Sequence, residues 1–149
     1  MIKVVLDNSV VMRWLMKTEH EEDQAYANAV LQQLQTSKSL VPDLWLLEVT
    51  NILLFNLKKS LIQKSDANLF MSRLADLEIE TVAVSTIENA RNVLKLANEH
   101  NLTSYDAAYL SLALDSDSHI ASLDKQMINA ARKLEVNLFS AEKLRHRLS

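Results

Sequence analysis

Four acidic residues of this chain lie next to or inside apolar segments, where a carboxylate is more often functional than on a solvated surface. Asp7 and Asp124 each follow a short apolar segment directly, and Asp106 lies near the start of an apolar helical segment. Glu48 lies inside a strongly apolar stretch, where an unpaired carboxylate is costly to bury. The three aspartates also have a simpler interpretation, because an N-cap or a position near a helix dipole contributes about 1 kcal/mol of stability.

Convergence of these four acids on one point would require a cation or bound protons. Two carboxylates about 5 Å apart repel each other by roughly 3 kcal/mol at an effective dielectric constant near 20. The chain has no cysteine and its four histidines are scattered, so oxygen ligands remain, and these suit Mg²⁺ or Mn²⁺. Such an ion activates water and neutralises the charge of a scissile phosphate. The acids therefore point to phosphodiester hydrolysis.

The composition excludes several other classes of protein. The 16 Lys and Arg against 19 Asp and Glu give a net charge of −3, and 48% hydrophobic residues predict one compact domain over residues 1–149. The absence of cysteine excludes a disulfide scaffold and favours the cytoplasm. The absence of glycine excludes phosphate-binding glycine loops and assigns left-handed turns to Asn, Asp or Ser. No apolar run is long enough for a membrane span.

Short apolar segments alternate with amphipathic ones, and this alternation predicts an α/β fold. The predicted strands cover residues 2–6, 40–41, 79–84, 119–123 and 136–139. The predicted helices cover residues 10–15, 22–34, 43–58, 65–77, 85–98, 105–114 and 125–134. Strands separated by helices imply parallel pairing, with residues 2–6, 40–41 and 120–123 as neighbours. The functional cleft of such a sheet lies outside the carboxyl ends of its strands, where Asp7 and Asp124 follow.

Further predictions concern the helix caps, the burial of one helix and the basic tail. Asp43 is a candidate N-cap, Ser85 begins a capping-box pattern, and Thr103 or Ser104 caps the helix that follows. The helix over residues 43–58 is predicted to be buried on most of its faces. The basic tail at residues 143–147 is either an RNA contact or solvated surface.

Four sequence blocks in order resemble the PIN-domain ribonucleases, and within them the VapC-type toxins of toxin–antitoxin pairs. The blocks are VLDNSV at residues 5–10 with Trp14, PDL at 42–44 through EVTN at 48–51, LTSYDAAYLSLAL at 102–114, and ASLD at 121–124 with Ala130 and Ala131. They span nearly the whole chain. Three positions depart from the family pattern: Asn8 replaces a commonly small residue, Ser122 a more frequent Thr, and Glu135 a frequent glycine.

The resemblance implies a PIN-like three-layer αβα domain with a central, mainly parallel sheet. It assigns the catalytic and metal-binding roles to Asp7, Glu48, Asp106 and Asp124. Beside them it places the hydroxyls of Ser9 and Ser122, while Asn51 shares a helix face with Glu48. The implied activity is a Mg²⁺- or Mn²⁺-dependent endoribonuclease that acts as the toxin of a two-protein system. The implied partners are RNA, a cognate antitoxin and a second copy of the chain.

Two other functions stay open at this point. An aspartyl-phosphate phosphohydrolase of the haloacid-dehalogenase type also has an aspartate after its first strand, here Asp7, but Ser9 occupies the position of its second acid. An inactive interaction module that retains the fold is the second alternative, although all four acids are present. Detection of a phosphoryl-enzyme would favour the first alternative, and metal-dependent RNA cleavage would favour the nuclease.

The aromatic and apolar residues of the helices are interpreted as core or interface residues rather than as nucleic-acid contacts. Tyr105 and Tyr109 fall on apolar helical faces, so they are interpreted as core or interface residues rather than platforms for base stacking. The Leu-rich helices carry more apolar surface than one small sheet can cover, which predicts a homodimer and an antitoxin partner. The candidate interface residues are Trp45, Leu54, Phe55, Leu57 and Phe70.

Overall fold

The computed structural model describes residues 1–140, in which four parallel strands form one sheet between layers of helices. The α/β class and the three-layer αβα architecture are therefore confirmed. The elements in chain order are β1 (Lys3–Leu6), α1 (Asn8–Leu15), α2 (Glu21–Gln33), β2 (Lys38–Pro42), α3 (Trp45–Lys58), α4 (Lys64–Asp76), β3 (Glu80–Val82), α5 (Ile87–His100), α6 (Ser104–Ser116), β4 (His119–Ala121) and α7 (Lys125–Lys133).

The sheet has the strand order β3-β2-β1-β4, with β1 in its interior. Val5 of β1 lies opposite Leu40 of β2 on one side and Ile120 of β4 on the other. The predicted neighbours are thus confirmed. The predicted strand at 136–139 is wrong as a strand, because it contributes only an isolated bridge between Ile120 and Leu138.

Strand β1 and helix α6 contribute several of the most deeply buried residues of the hydrophobic core. Val4, Val5 and Leu6 are buried, as expected for an interior parallel strand covered on both faces. Helix α6 packs against β1 and β2, and its residues 107–113 are all buried. The acid near the start of α6 is therefore carried by the most deeply buried helix of the described chain.

Two predicted helix caps are wrong. Asp43 does not cap α3, which begins at Trp45 with Leu44 in the cap position, because the Asp43 backbone N–H donates to the Val82 carbonyl and extends the pairing of β2 with β3. The capping box at Ser85 is also displaced, since Thr86 caps α5.

The predicted cap at Thr103 is confirmed. Thr103 caps α6 by accepting a hydrogen bond from the backbone N–H of Asp106 at 3.1 Å. This cap fixes the first turn of α6, which carries the Asp106 side chain.

Helix α3 differs from its prediction, because only one of its faces is buried. Val49 and Leu53 pack into the core, whereas Leu47 is 75% exposed. Two of the proposed interface residues, Trp45 and Phe70, are buried within the chain, so their assignment to an interface is wrong. The other three are at least partly accessible, and they are Leu54, Phe55 and Leu57.

Left-handed backbone occurs at five non-glycine residues of the described chain: Ser60, Glu78, Asn101, Asp117 and Glu135. The prediction that Asn, Asp or Ser would take these positions holds for three of them and is wrong for Glu78 and Glu135. All five lie just after a helix, where a left-handed residue ends the helical hydrogen bonding. Glu135 adopts the conformation that a glycine would take there, with φ 57°.

Among residues 1–140, no helix is long and apolar enough to cross a membrane. The basic tail at residues 143–147 lies outside the described residues.

Candidate active site

Asp7 lies at the carboxyl end of β1 and is almost completely buried, with 6% of its surface exposed. It occupies the N-cap position of α1, yet its side chain makes no capping hydrogen bond. Its carboxylate instead accepts two hydroxyl hydrogen bonds at Oδ2, from Ser9 Oγ at 2.6 Å and from Ser122 Oγ at 2.8 Å. The simpler interpretation of Asp7 as a helix cap is therefore wrong.

The two serines join the ends of β1 and β4. Ser9 Oγ also accepts a hydrogen bond from the Leu123 backbone N–H, and Ser122 Oγ accepts one from the Asp124 backbone N–H. Each hydroxyl has one proton, and each directs it to Asp7 Oδ2. The carboxylate of Asp7 is thereby fixed in orientation, with Oδ1 not engaged by either hydroxyl.

Asp124 follows the end of β4 and does cap a helix. Its Oδ1 accepts a hydrogen bond from the Gln126 backbone N–H at 3.1 Å at the start of α7. The capping interpretation is correct here, but it engages only one of the two carboxylate oxygens. Asp124 Oδ2 makes no hydrogen bond to a described residue, so the cap does not preclude a second role.

Glu48 enters the site from α3 and is half-buried. The hydroxyl of Tyr109 donates to Glu48 Oε1 at 2.7 Å, and the same hydroxyl oxygen lies 3.5 Å from the donor Asn8 Nδ2. Asn8 immediately follows Asp7 in sequence. A chain of polar contacts through Tyr109 therefore connects the Glu48 carboxylate to the segment that carries Asp7.

Burial and the charges of neighbouring acids raise the pKa values of three of these carboxylates. Burial raises the pKa of Asp7, and the negative charge of Asp124 adds to the rise. Burial also raises the pKa of Glu48, with further contributions from Asp7 and Asp106. Burial likewise raises the pKa of Asp106, and the charges of Asp7 and Asp124 add to it. Asp7 and Asp106 thus lie close enough to other acids of the predicted set for their charges to matter, whereas no such effect joins Glu48 and Asp124.

Tyr109 and Asn8 are site residues that sequence reasoning did not identify. Tyr109 was interpreted as a core residue and is indeed buried, with 1% exposure, but its hydroxyl also contacts Glu48. The available signal was its spacing, because residues three positions apart on a helix share a face, which places Tyr109 beside Asp106.

Asn51 shares an apolar cavity with Glu48 but makes no hydrogen bond to a described residue.

An apolar groove begins at this site and extends along α3 and α4. It has a volume of about 880 Å³. Glu48 and Asn51 lie among its polar lining residues, and Leu47, Leu54 and Met71 supply exposed apolar surface. The exposed ring of Tyr105, next to Asp106, also lines it. The acidic site therefore opens onto a surface suited to a hydrophobic partner.

The site fits a divalent cation by donor type and by charge rather than by a preformed coordination geometry. Within residues 1–140, no three His, Asp or Glu side chains form a ready metal cluster. The donors at the site are carboxylate and hydroxyl oxygens, which are the ligands that Mg²⁺ and Mn²⁺ prefer. The mutual repulsion of four carboxylates is the physical reason that a cation would bind among them.

The fold has three layers, and its candidate acids lie on α3 and α6 or follow β1 and β4. This arrangement defines a class of α/β proteins whose acidic site lies at the carboxyl ends of parallel strands. The family model "PIN domain" matches residues 4–133. This chain belongs to the PIN-domain family.

Similar proteins agree with this assignment. Ribonuclease VapC3 from Pyrobaculum aerophilum is 28% identical over 126 residues, which cover 85% of this chain and 92% of that protein. The crystal structure of PAE2754 from the same organism has a TM-score of 0.68 at 18% identity and covers 99% of this chain and 89% of that one.

A second similar structure is that of VapBC2 from Rickettsia felis bound to a DNA fragment from their promoter. It has a TM-score of 0.64 at 13% identity, over 93% of this chain and 98% of the other. At these identities the two solved structures support the fold.

Proposed function

We propose that this chain is a divalent-metal-dependent endoribonuclease that hydrolyses RNA phosphodiester bonds as the toxin of a toxin–antitoxin pair. The observation that carries the proposal is geometric: Asp7 and Asp124 follow the adjacent parallel strands β1 and β4, and Glu48 is connected through Tyr109 to Asn8 beside Asp7. The raised pKa values of Asp7, Glu48 and Asp106, to which the charges of neighbouring acids contribute, agree with it. Membership of the PIN-domain family and the similarity to a protein named Ribonuclease VapC3 support it.

The chain's own residues explain why this site would depend on a cation. Four carboxylates repel the phosphates of RNA as well as one another. Ser9 and Ser122 hold Asp7 in one orientation, so Asp7 is preorganised as a ligand, and Glu48, Asp106 and Asp124 supply further carboxylate oxygens. When bound there, Mg²⁺ or Mn²⁺ supplies a water of lowered pKa and positive charge for the scissile phosphate.

A cleavage assay with purified protein tests the proposal. A fluorescently labelled single-stranded RNA is incubated at fixed salt with Mg²⁺, with Mn²⁺ or with excess chelator, beside a DNA strand of the same sequence. We expect RNA cleavage that requires the metal and disappears in the Glu48→Gln variant. The matched control is Asp115→Asn, which removes an exposed carboxylate from α6 outside the site.

The same assay separates the remaining alternatives. Undiminished cleavage in chelator would contradict the metal mechanism, and absence of cleavage under all conditions would favour an inactive interaction module. Accumulation of a phosphoryl-enzyme at Asp7 would favour the phosphohydrolase. The Ser9 hydroxyl argues against that chemistry, because it donates to Asp7 from the position where the phosphohydrolase pattern requires an acid.

The apolar groove is the surface that we assign to the antitoxin. Leu47 is 75% exposed and Leu54 is 47% exposed, and both line the groove that begins at Glu48. A partner seated along it would cover the approach to the acids, which is how an antitoxin would inhibit the enzyme. Co-expression with a candidate antitoxin, sought as a short reading frame beside this one, tests this assignment. Leu47→Glu should weaken co-purification, whereas the exposed change Leu94→Glu on α5, outside the groove, should not.

We further propose that the chain forms a homodimer in the cytoplasm. Phe55 is 55% exposed on α3 and does not line the groove, so a second copy can cover it while the groove stays available. Light scattering at micromolar concentration should show a dimer that Phe55→Asp weakens. A wild-type protein that is monomeric under those conditions would refute the dimer.

A further inference from the structure

Tyr109 bonds to one candidate metal ligand, Glu48, and lies one helical turn after another, Asp106. Its hydroxyl donates to Glu48 Oε1 on α3, 61 residues earlier in the sequence, and its oxygen faces Asn8 Nδ2 on α1. Tyr109 itself lies on α6, one turn after Asp106. One side chain therefore contacts or adjoins the elements that carry three of the four acids.

The simplest interpretation is that a buried tyrosine needs a partner for its hydroxyl and finds Glu48. Two details of the structure go beyond this. Glu48 is a charged acceptor on a half-exposed helix, and a hydrogen bond to an ionised group is stronger and more orienting than one to a neutral group. In addition, Asn8 Oδ1 is buried without a hydrogen-bond partner, which makes Asn8 a costly residue at this position unless its Nδ2 donor is useful.

We propose that Tyr109 is a positioning residue that holds the Glu48 carboxylate in the orientation required for divalent-cation binding, with Asn8 holding the Tyr109 hydroxyl in turn. The inference rests on the proposed metal-dependent function. Because the hydroxyl engages Oε1, rotation of the Glu48 carboxylate is restricted and Oε2 is left for another ligand.

The arrangement also explains how α3, which is only half-buried, can contribute a precisely oriented ligand. Glu48 belongs to the first turn of a helix whose outer face is exposed to solvent. Tyr109 belongs to the most buried helix and has little freedom to move. The hydrogen bond transfers the rigidity of α6 to the side chain on α3, and this is the property that a positioning residue supplies.

Calorimetric titration with Mn²⁺ alone, in the full-length protein, measures the effect without relying on activity. Tyr109→Phe removes one oxygen and keeps the ring, so the core retains its shape. We expect Mn²⁺ affinity to fall by about 10- to 100-fold, as for loss of a group that orients a metal ligand. Asn8→Ala should cause a smaller loss in the same direction.

Two further variants separate positioning from general destabilisation. Ser116→Ala removes a hydroxyl at the other end of α6, where it bonds to the Leu112 carbonyl and to Ser118 rather than to an acid, and it should leave Mn²⁺ affinity within about twofold. In a Glu48→Gln background, Tyr109→Phe should cause little additional loss, because the carboxylate that it orients is already absent.

The outcomes distinguish this inference from the function on which it rests. Wild-type protein that binds no Mn²⁺ would overturn both. Wild-type protein that binds Mn²⁺, with a folded Tyr109→Phe variant of equal affinity, would overturn the positioning role alone. An equally large loss of affinity from Tyr109→Phe in the presence and in the absence of the Glu48 carboxylate would also overturn it, since the effect would then be a general one.

Discussion

Asp7 and Asp124 occupy equivalent positions in the fold and have different environments. Each aspartate follows a parallel strand and sits in the N-cap position of the next helix. Asp124 uses its side chain as a cap by accepting from Gln126, whereas Asp7 makes no cap and accepts two serine hydroxyls instead. An aspartate that follows a strand can therefore cap the next helix or be held by hydroxyls inside the protein, and only its hydrogen-bond partners distinguish these two environments.

The difference arises from a single pair of hydroxyls. Ser9 and Ser122 direct their protons to Asp7, and Ser122 also accepts from the backbone of Asp124. Asp7 is thus held inside the protein, while Asp124 is held at a helix end with one oxygen unengaged by the cap. The two residues should respond differently to the same substitutions.

The largest effect is expected for Asp7→Asn. The amide keeps the size of the side chain but removes the negative charge and one acceptor oxygen, so the cation loses a preorganised ligand. Metal-dependent RNA cleavage should fall by more than about 100-fold, since loss of a group that merely hydrogen-bonds to a ligand costs about 10- to 100-fold. Steady-state cleavage at saturating Mn²⁺ measures it, and full activity in the variant would defeat the proposed mechanism.

A smaller effect is expected for Ser122→Ala, which removes one of the two donors that orient Asp7. Mn²⁺ affinity should decrease by about 10-fold or more. Ser118→Ala is the matched control, because Ser118 lies at the other end of β4, is also 4% exposed, and bonds to Ser116 rather than to an acid. Equal losses of affinity in the two variants would mean that the serine hydroxyl acts on the strand and not on the site.

Substitutions of Asp124 separate its two roles in the same protein. Asp124→Ala should lower the free energy of unfolding of the metal-free protein by about 1 kcal/mol, because the cap of α7 is lost. Asp124→Asn should retain that stability, since asparagine caps equally well, while Mn²⁺ affinity decreases in both variants. Metal binding that follows stability across the two variants would leave Asp124 as a cap only.

The smallest effect is a pH dependence of stability. Burial raises the pKa of Asp7 from its ordinary value of 3.8, so the folded metal-free protein binds a proton more tightly than the unfolded chain. The resulting stabilisation is full below the ordinary pKa and is lost as pH rises through the higher pKa of the folded state. In chelator, wild-type stability should therefore decline relative to Asp7→Asn over that range, and parallel curves from thermal unfolding would contradict the raised pKa.

The sequence predicts the order of the elements well because that order depends on local signals. Residues 2–6 and 119–123 are mostly apolar runs that are each followed by an aspartate, so the positions of Asp7 and Asp124 beyond two strands can be derived without coordinates. The end of β4 was predicted two residues too late, because the strand ends at Ala121. Helix boundaries were less well predicted. Asp43 has the side chain of a good cap, but pairing of its backbone with Val82 decides its conformation.

The parts of the site that were missed depend on contacts between distant residues. No local pattern shows that the hydroxyl of Tyr109 meets Glu48, because the two helices are brought together only by the fold. The family resemblance placed the Ser122 hydroxyl beside the acids, but its hydrogen bond to Asp7 depends on β4 lying beside β1. The exposure of Leu47 was also missed, since an apolar helical segment does not reveal which of its faces packs on the core.

The thermal shift of Asp7→Asn with and without Mn²⁺ at neutral pH tests the central claim most directly. If Asp7 belongs to a set of mutually repelling carboxylates that bind a cation, the metal-free variant should unfold at or above the wild-type temperature, because one repelling charge is gone. Mn²⁺ should then raise the unfolding temperature of the wild type and not that of the variant. A variant that unfolds at a lower temperature than the wild type and is still stabilised by Mn²⁺ to the same extent would contradict the account.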